Sequence, residues 1–414
     1  MTHNTPKPNI IFILVDALRA SNLGSFGYPK PITPTLDKLA TRGTTFEKCF
    51  SCTNASDPAL TSLMSGMYTR SHGILHHSYE VAQKEINTMD QRNVKFIQQI
   101  LKEHGYNTYA LDFLARWHMR GYDYYPELKI DRTKRKKQLN RISRFFKFLH
   151  IKPLFKKISH TNTFRKIFGG FDAYPKDTDT TVKAVELIQT STKDNKQPYF
   201  LFVHYWGVHK PYTCPDVENK RSTQCYDNAI ETVDKHIAEI LDAANEQDII
   251  VVVGDHAESL GEHGISFDHH GLYDPSLHVP LIFAGKNIPE GKRINALSCT
   301  TDIFSTLLDL AHITYNAKTD SVSLVPLMQD KVQEVRKEVY TEENYYQDKA
   351  AIRTTNHKFI KTIGQGICQQ CHIVHGGDIE LYDLTQDPQE LNNIAQKHPD
   401  VVKEYSEKID ILIQ

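Results

Sequence analysis

The sequence predicts an α/β protein: a mostly parallel central sheet flanked by helices, with a small C-terminal α+β subdomain. Three observations predict it. Short β-branched runs at 9–15, 199–204 and 249–253 alternate with helix-period segments, the pattern of a parallel sheet covered on both faces. Polar residues stand at the ends of those runs, namely Asp16, His204 to His209, and Asp255-His256. Open α/β sheets place their sites there, just past strand carboxyl ends. From about residue 335 the pattern changes to short strands of a separate unit.

In order along the chain, the run 9–15 opens the sheet and closes on Val15-Asp16-Ala17. The stretches 35–43 and 93–105 read as amphipathic helices ending at Gly43 and Gly105, glycine being a usual helix stop. Residues 226–245 put Ile230, Val233, Ile237, Ile240 and Leu241 on one helical face. The strand 249–253 runs directly into Gly254-Asp255-His256. In the tail, 350–353 and 358–363 read as strands, followed by Glu380-Leu381-Tyr382-Asp383-Leu384. The expected organisation is a main domain at 1–334, carrying a basic insertion at 129–166, and a C-terminal subdomain at 335–414.

Composition sets the outer limits. The chain has 414 residues, 40% hydrophobic and 24% charged, with 49 Lys+Arg against 50 Asp+Glu. That excludes a mainly disordered chain, a collagen-like chain and a disulfide scaffold. No apolar run approaches the roughly 20 residues of a membrane span. The run 10–15 lacks a basic start and a cleavage site, so no signal peptide is read and a cytoplasmic location is expected. The near-neutral total hides an asymmetry, because residues 129–166 hold fourteen Lys/Arg against the single acid Asp131. Within 134–166 cations interleave with aromatic and aliphatic residues, as in a basic amphipathic helix. An anionic membrane surface is the expected partner, which would make the protein peripheral on the inner face of the membrane. No nucleic acid is expected, since no nucleic-acid motif accompanies the charge.

The seven cysteines include two C-x2-C pairs, Cys49/Cys52 and Cys368/Cys371. Cys368 to His372 also matches a c-type haem attachment string, but no export signal accompanies it. A zinc site joining both pairs is the second alternative, and reduced thiols are the plain reading.

Three clusters could do chemistry: Asp16 at a strand end, the stretch from Asp255-His256 to Glu262-His263, and the histidines His204, His209, His269 and His270. Two carboxylates and an imidazole on strand ends can hold one divalent ion, although a strand-end Asp is more often a helix N-cap. These strings, taken in order, resemble the sulfatase family of the alkaline phosphatase superfamily. The opening strand through Asp16-Ala17-Leu18-Arg19, then 33–43, then Ser56-Asp57-Pro58-Ala59-Leu60, resemble that family's metal-binding Asp, its following helix and its nucleophile segment. The stretch 254–264, followed by His270-Gly271 and Val279-Pro280, is similar to the second metal-binding stretch, and 381–393 to the C-terminal signature.

The resemblance implies an alkaline phosphatase-like sandwich for 1–334 and metal ligation by Asp16, Ser56, Asp255 and His256, with Ser56 as nucleophile. It implies catalytic or substrate roles for His209 and His270, and substrate binding by Arg116 and His118. Four departures qualify it. Ala17 stands where many sulfatases have a second metal-binding Asp. Leu60 replaces the Arg of the Cys/Ser-x-Pro-x-Arg maturation string, so conversion of Ser56 to formylglycine is not expected. Gly207 stands where two-metal relatives have an Asp. His256, in place of an oxygen ligand, favours Mn or Zn, with Ca or Mg admissible. The expected function is a metal-dependent hydrolase of sulfate, phosphate or phosphonate esters that acts through a Ser56 intermediate on a substrate of glycan or lipid type. The alternatives are a phosphoryl-group transferase and a non-catalytic anion binder.

Overall fold

The computed structural model describes residues 7–126, 176–194, 197–212, 214, 217, 221–369 and 372–413. The insertion at 129–166, with its expected membrane contact, lies outside the described residues, as does Cys371.

The strand β1 (Ile10–Val15) is Ile-Ile-Phe-Ile-Leu-Val and is buried along its whole length. Side chains alternate across a strand, so Ile10, Phe12 and Leu14 enter one core while Ile11, Ile13 and Val15 enter the other. Helices Ser56–Ser65, Ile97–Glu103 and Asp302–Leu310 cover the first face. Helices Pro34–Thr41, Asp177–Asp194 and Thr223–Ala243 cover the second. Burying each large apolar side chain is worth about 1.5–3 kcal/mol. A strand with six of them is hard to displace, and Asp16 at its end inherits that rigidity.

The other strands of this sheet are β2 (Gly43–Phe50), β3 (Asn107–Leu111), β4 (Tyr199–Tyr205), β5 (Ile249–Gly254), β8 (His278–Ala284) and β9 (Lys292–Cys299), in the spatial order β3-β4-β1-β5-β8-β2-β9. β1 pairs in parallel with β4 and β5, whereas β8 runs antiparallel to both its neighbours. The expected mostly parallel sheet is therefore present, with one reversed strand. Its register decides where the site lies. Val15 stands opposite Tyr205 and Gly254, so Asp16 and Asp255 emerge one step beyond the ends of adjacent strands.

Two helix ends differ from expectation. The first helix stops at Thr41, and Gly43 begins β2. A Cβ at Gly43 would collide with the Phe283 carbonyl on β8, so this glycine serves a close strand approach and not a helix cap. The stretch 93–105 is helical only over Ile97–Glu103, while Gly105, at φ 87°, does turn the chain.

A two-stranded ribbon, β6 (Ser259–Leu260) and β7 (Ser266–Asp268), follows β5. In the tail, β10 (Glu338–Glu343), β11 (Lys349–Thr354), β12 (His357–Thr362) and β13 (Ile379–Asp383) form an antiparallel meander. One face packs on the helix Pro399–Leu412 through Tyr340, Ile352, Phe359, Leu381, Tyr405 and Ile409. The other packs through Val339, Ala351, Ile360 and Tyr382 on Phe50, Cys52 and Leu277 of the main body. No helix among the described residues is long and apolar enough to cross a membrane.

Candidate active site

The ends of β1 and β5 bring together Asp16, Asp255 and His256, with one donor atom from each within 4.8 Å of the others. Ala17 follows Asp16 at φ 60°, a left-handed turn unusual for alanine. That turn aims the Ala17 N–H at Asp255 Oδ1, 3.1 Å away, and the same oxygen accepts from the His256 N–H at 2.8 Å. The remaining oxygens, Asp16 Oδ1 and Asp255 Oδ2, are buried with no hydrogen-bond partner. His256 donates from Nδ1 to the Ala257 carbonyl at 3.0 Å, which leaves a lone pair on Nε2. Burial, followed by the charge of Asp16, raises the Asp255 pKa. Two buried carboxylate oxygens without a partner are costly without a cation, and the imidazole nitrogen beside them is a further donor. The donor set fits a divalent metal ion.

Ser56 is the first residue of its helix, and the preceding position is Ala55, which has no capping side chain. The Ser56 hydroxyl lies 3.2 Å from Asp16 Oδ2 and 3.3 Å from His256 Nε2. The structure thus gathers all four residues assigned to the metal. The helix N-terminus adds a dipole field that favours negative charge at Ser56.

Arg116 and His118 are placed beside Ser56 in an arrangement the sequence did not indicate. Both face Asp57, a fully buried carboxylate. Arg116 Nη2 reaches Asp57 Oδ2 at 2.5 Å, His118 Nε2 lies 3.3 Å from Oδ1, and His77 Nδ1 lies 3.0 Å from Oδ2. Burial alone would raise this carboxyl, but His77, His118 and Arg116 hold it well below the usual carboxylate range. An incoming anion therefore meets Arg116 and His118 as partners of the chain's own carboxylate. The signal was in plain view, since Asp57 follows Ser56 directly.

Four imidazoles complete the surroundings. His204 donates from Nδ1 to Asp112 at 2.7 Å, and its Nε2 lies 3.6 Å from Asp16 Oδ2. Burial works against its charge, yet the hydrogen bond to Asp112 and the nearby Asp16 carboxylate lift it to about 10. His209 gives Nδ1–H to the Lys210 carbonyl at 2.6 Å and stacks on Trp206 at 3.9 Å. Burial, offset in part by Asp16, lowers it to about 4. The ring stacked on His256, at 4.3 Å, is His269, which gives Nδ1–H to the Asn54 carbonyl at 2.5 Å. His270, the neighbour assigned a catalytic role from sequence, instead meets Asp268, Tyr346 and His375. The sequence placed His204 at a strand end that lines the site and grouped His269 with the other histidines, but it gave neither a role, and it missed Asp112 altogether.

Sequence comparison then decides the family. A profile described as Sulfatase matches residues 8–313, and one described as N-sulphoglucosamine sulphohydrolase, C-terminal, matches 261–414. The chain belongs to the sulfatase family. A curated relative, "Sulfatase" of Formosa agariphila, is 24% identical over 94% of this chain and 83% of its own length. Two solved folds are similar. One, 17% identical with TM-score 0.68 over 98% of this chain and 97% of that one, is complexed with its substrate D-glucosamine-2-N,6-O-disulfate. The other, the phosphonate monoester hydrolase of Agrobacterium radiobacter, is 18% identical with TM-score 0.71 over 98% and 95%. The protein is accordingly a sulfatase-family hydrolase of the sulfuric ester class, and the family typically uses a metal ion.

The departures of this sulfatase now have structural counterparts. Ala17 contributes its backbone N–H to Asp255 and no carboxylate. Leu60 is buried in the main core. At Gly207 a Cβ would collide with Asp177 Oδ2, so a carboxylate from another helix fills the space that an Asp at 207 would use. Among the described residues, Cys49 and Cys52 join no metal-binding cluster, which leaves the alternative of a zinc site shared by both C-x2-C pairs without support there. Cys49 and Cys52 lie in the core as free thiols, and Cys52 shares a hydrogen bond with the Cys299 thiol.

Proposed function

We propose that this sulfatase cleaves the sulfate ester of a sulfated saccharide through a covalent Ser56 intermediate, with unmodified serine as nucleophile and one divalent ion, Mn or Zn, held by Asp16, Asp255 and His256. The observation that carries the reading is the Ser56 hydroxyl lying 3.2 Å from Asp16 Oδ2 and 3.3 Å from His256 Nε2. A bound divalent ion supplies Lewis acidity, favouring the Ser56 alkoxide and neutralising charge on the attacked ester oxygens.

The chain's own groups account for the rest. Asp16 Oδ2 orients the Ser56 hydroxyl. The hydroxyl gives its proton to Asp16 Oδ2, the Ser56 oxygen forms a bond to sulfur as the bond from sulfur to the sugar oxygen breaks, and the sugar oxygen takes a proton and leaves as the alcohol. His204, held protonated beside Asp16 by Asp112, is the imidazole with a proton to give. His209, neutral with Nδ1–H committed to Lys210, keeps a lone pair on Nε2 to take a proton from the water that releases sulfate. The glucosamine disulfate held by the similar structure supports the saccharide reading.

A second reading, cleavage of a phosphate or phosphonate ester, is favoured by the similarity to the phosphonate monoester hydrolase. Plain serine suits phosphoryl transfer, whereas a serine sulfate is slow to hydrolyse. The test is turnover of nitrophenyl sulfate, phosphate and phosphonate with added Mn, Zn or Ca, comparing wild type with Ser56→Ala. Hydrolysis is expected in wild type alone, with the intact mass of the Ser56 peptide that of ordinary serine. Equal turnover by both proteins, or a formylglycine mass, would overturn the assignment of Ser56.

A further inference from the structure

His270 has a place in the structure outside the Ser56 pocket. One donor atom each from His270, Cys368 and His375 lies within 4.8 Å of the others, and all three residues are buried. Cys368 and His375 come from the connection between β12 and β13, whereas His270 follows β7 in the main body. The His270 and His375 rings are 4.5 Å apart. His270 Nδ1 is buried with no hydrogen-bond partner, 3.7 Å from Asp268 Oδ1.

The burial pattern of the connection is the reverse of what apolar packing produces. Among its described residues, Cys368 and His375 are the buried ones, while Ile367, Ile373 and Val374 are about half exposed. A loop held down by the hydrophobic effect would turn its isoleucines and valine inward. This one turns a thiol and an imidazole inward, onto a second imidazole. The backbone is set for that arrangement. The Cys368 N–H bonds to the Ile373 carbonyl at 2.9 Å and the His372 N–H to the Cys368 carbonyl at 2.9 Å. The Lys349 ammonium ties down the carbonyls of His375 and Gly377 at 2.7 and 3.0 Å.

We infer that His270, Cys368 and His375 form a second metal site, independent of the Ser56 chemistry, that binds Zn2+ through one thiolate and two imidazoles. Thiolate with imidazole is a zinc donor set and excludes the hard cations Ca2+ and Mg2+ as natural occupants. Donors around zinc at about 2.0–2.3 Å lie within about 4 Å of one another, so the cluster closes on the ion with a small side-chain adjustment. Three protein donors leave a fourth position for water. The ion fastens the β12–β13 connection to the segment that carries His269, and so steadies the imidazole stacked on His256.

The experiment uses the full-length protein loaded with Zn2+ or Co2+ alone and does not depend on turnover. Neither Asp16, Asp255 nor His256 carries sulfur, so a thiolate-to-cobalt charge-transfer band in the near ultraviolet reports only a cysteine site. The band is expected in wild type and in Asp16→Asn, and it is lost in Cys368→Ser together with one equivalent of zinc by elemental analysis. No band in wild type, or a band and zinc content unchanged in Cys368→Ser, would overturn the site. Should Cys368→Ser not fold, alkylation of wild type decides. Chelation is expected to speed labelling of the Cys368 peptide, because a thiolate bound to zinc is withheld from the reagent until the ion leaves. An unchanged labelling rate would count against zinc.

Discussion

Asp16 and Asp57 both adjoin Ser56, one in space and the other in sequence, and both are fully buried. Asp57 is saturated from within: Arg116, His118 and His77 surround it, and the Ser78 N–H donates to it at 2.6 Å. Asp16 shares Oδ2 with Ser56 and His204, while its Oδ1 has no partner. Both carboxyls are held below their ordinary range against the pull of burial, Asp57 by His77, His118 and Arg116, and Asp16 by His209, His204 and His256. The difference lies in where the neutralising cation comes from. At Asp57 the chain's own groups meet both carboxylate oxygens, whereas at Asp16 the imidazoles leave Oδ1 without a partner and Asp255 adds a second carboxylate, so the donor set fits an ion from solution. Arg116 and His118, which by sequence alone look like an open oxyanion site, belong to the internally balanced half.

The largest effect that could break this contrast is expected from Asp16→Asn. Turnover of the active ester should fall on the order of 10³-fold or more, with loss of the catalytic ion by elemental analysis. A variant that kept both ion and turnover would make Asp16 no different from Asp57. Asp57→Asn should show the opposite profile. Removing one member of a buried charge cluster costs about 3–5 kcal/mol, and the lower end applies because the Arg116 side chain is 30% exposed and partly screened by solvent. Denaturant unfolding should show that loss while the ion stays bound.

The smallest effect is in pH. The Asp57 carboxyl is depressed below its unfolded value of 3.8, so its contribution is complete above that value and is lost as pH falls through it towards the lower folded pKa. Between pH 5 and pH 3 the melting temperature of wild type should fall more steeply than that of Asp57→Asn. Parallel curves would mean that Asp57 is not the balanced carboxylate described here.

Much of the fold was legible because periodicity is local. The run through β1, the helical face of Ile230, Val233, Ile237 and Ile240, and the strand ahead of Asp255 are patterns of neighbouring residues, and packing enforces them. The reversed strand β8 was not legible, because strand direction depends on which edge it joins. Of the site, Asp16, Ser56, Asp255 and His256 could be named from motif order. His269 could not be told from His270, since adjacent residues differ in direction and not in type. Asp177 behind Gly207 was invisible for a related reason: it reaches that space from a different helix.

The sequence by itself determined the α/β class, the sulfatase family and the chemical types available at the site, because these rest on local hydrophobic period and on motif spacing. Only the tertiary structure decided which charges meet. It placed Asp57 among Arg116, His118 and His77, left Asp16 Oδ1 and Asp255 Oδ2 without partners, and brought His270 to Cys368 and His375. Coulomb and hydrogen-bond energies act over a few ångströms in space, whatever the separation along the chain.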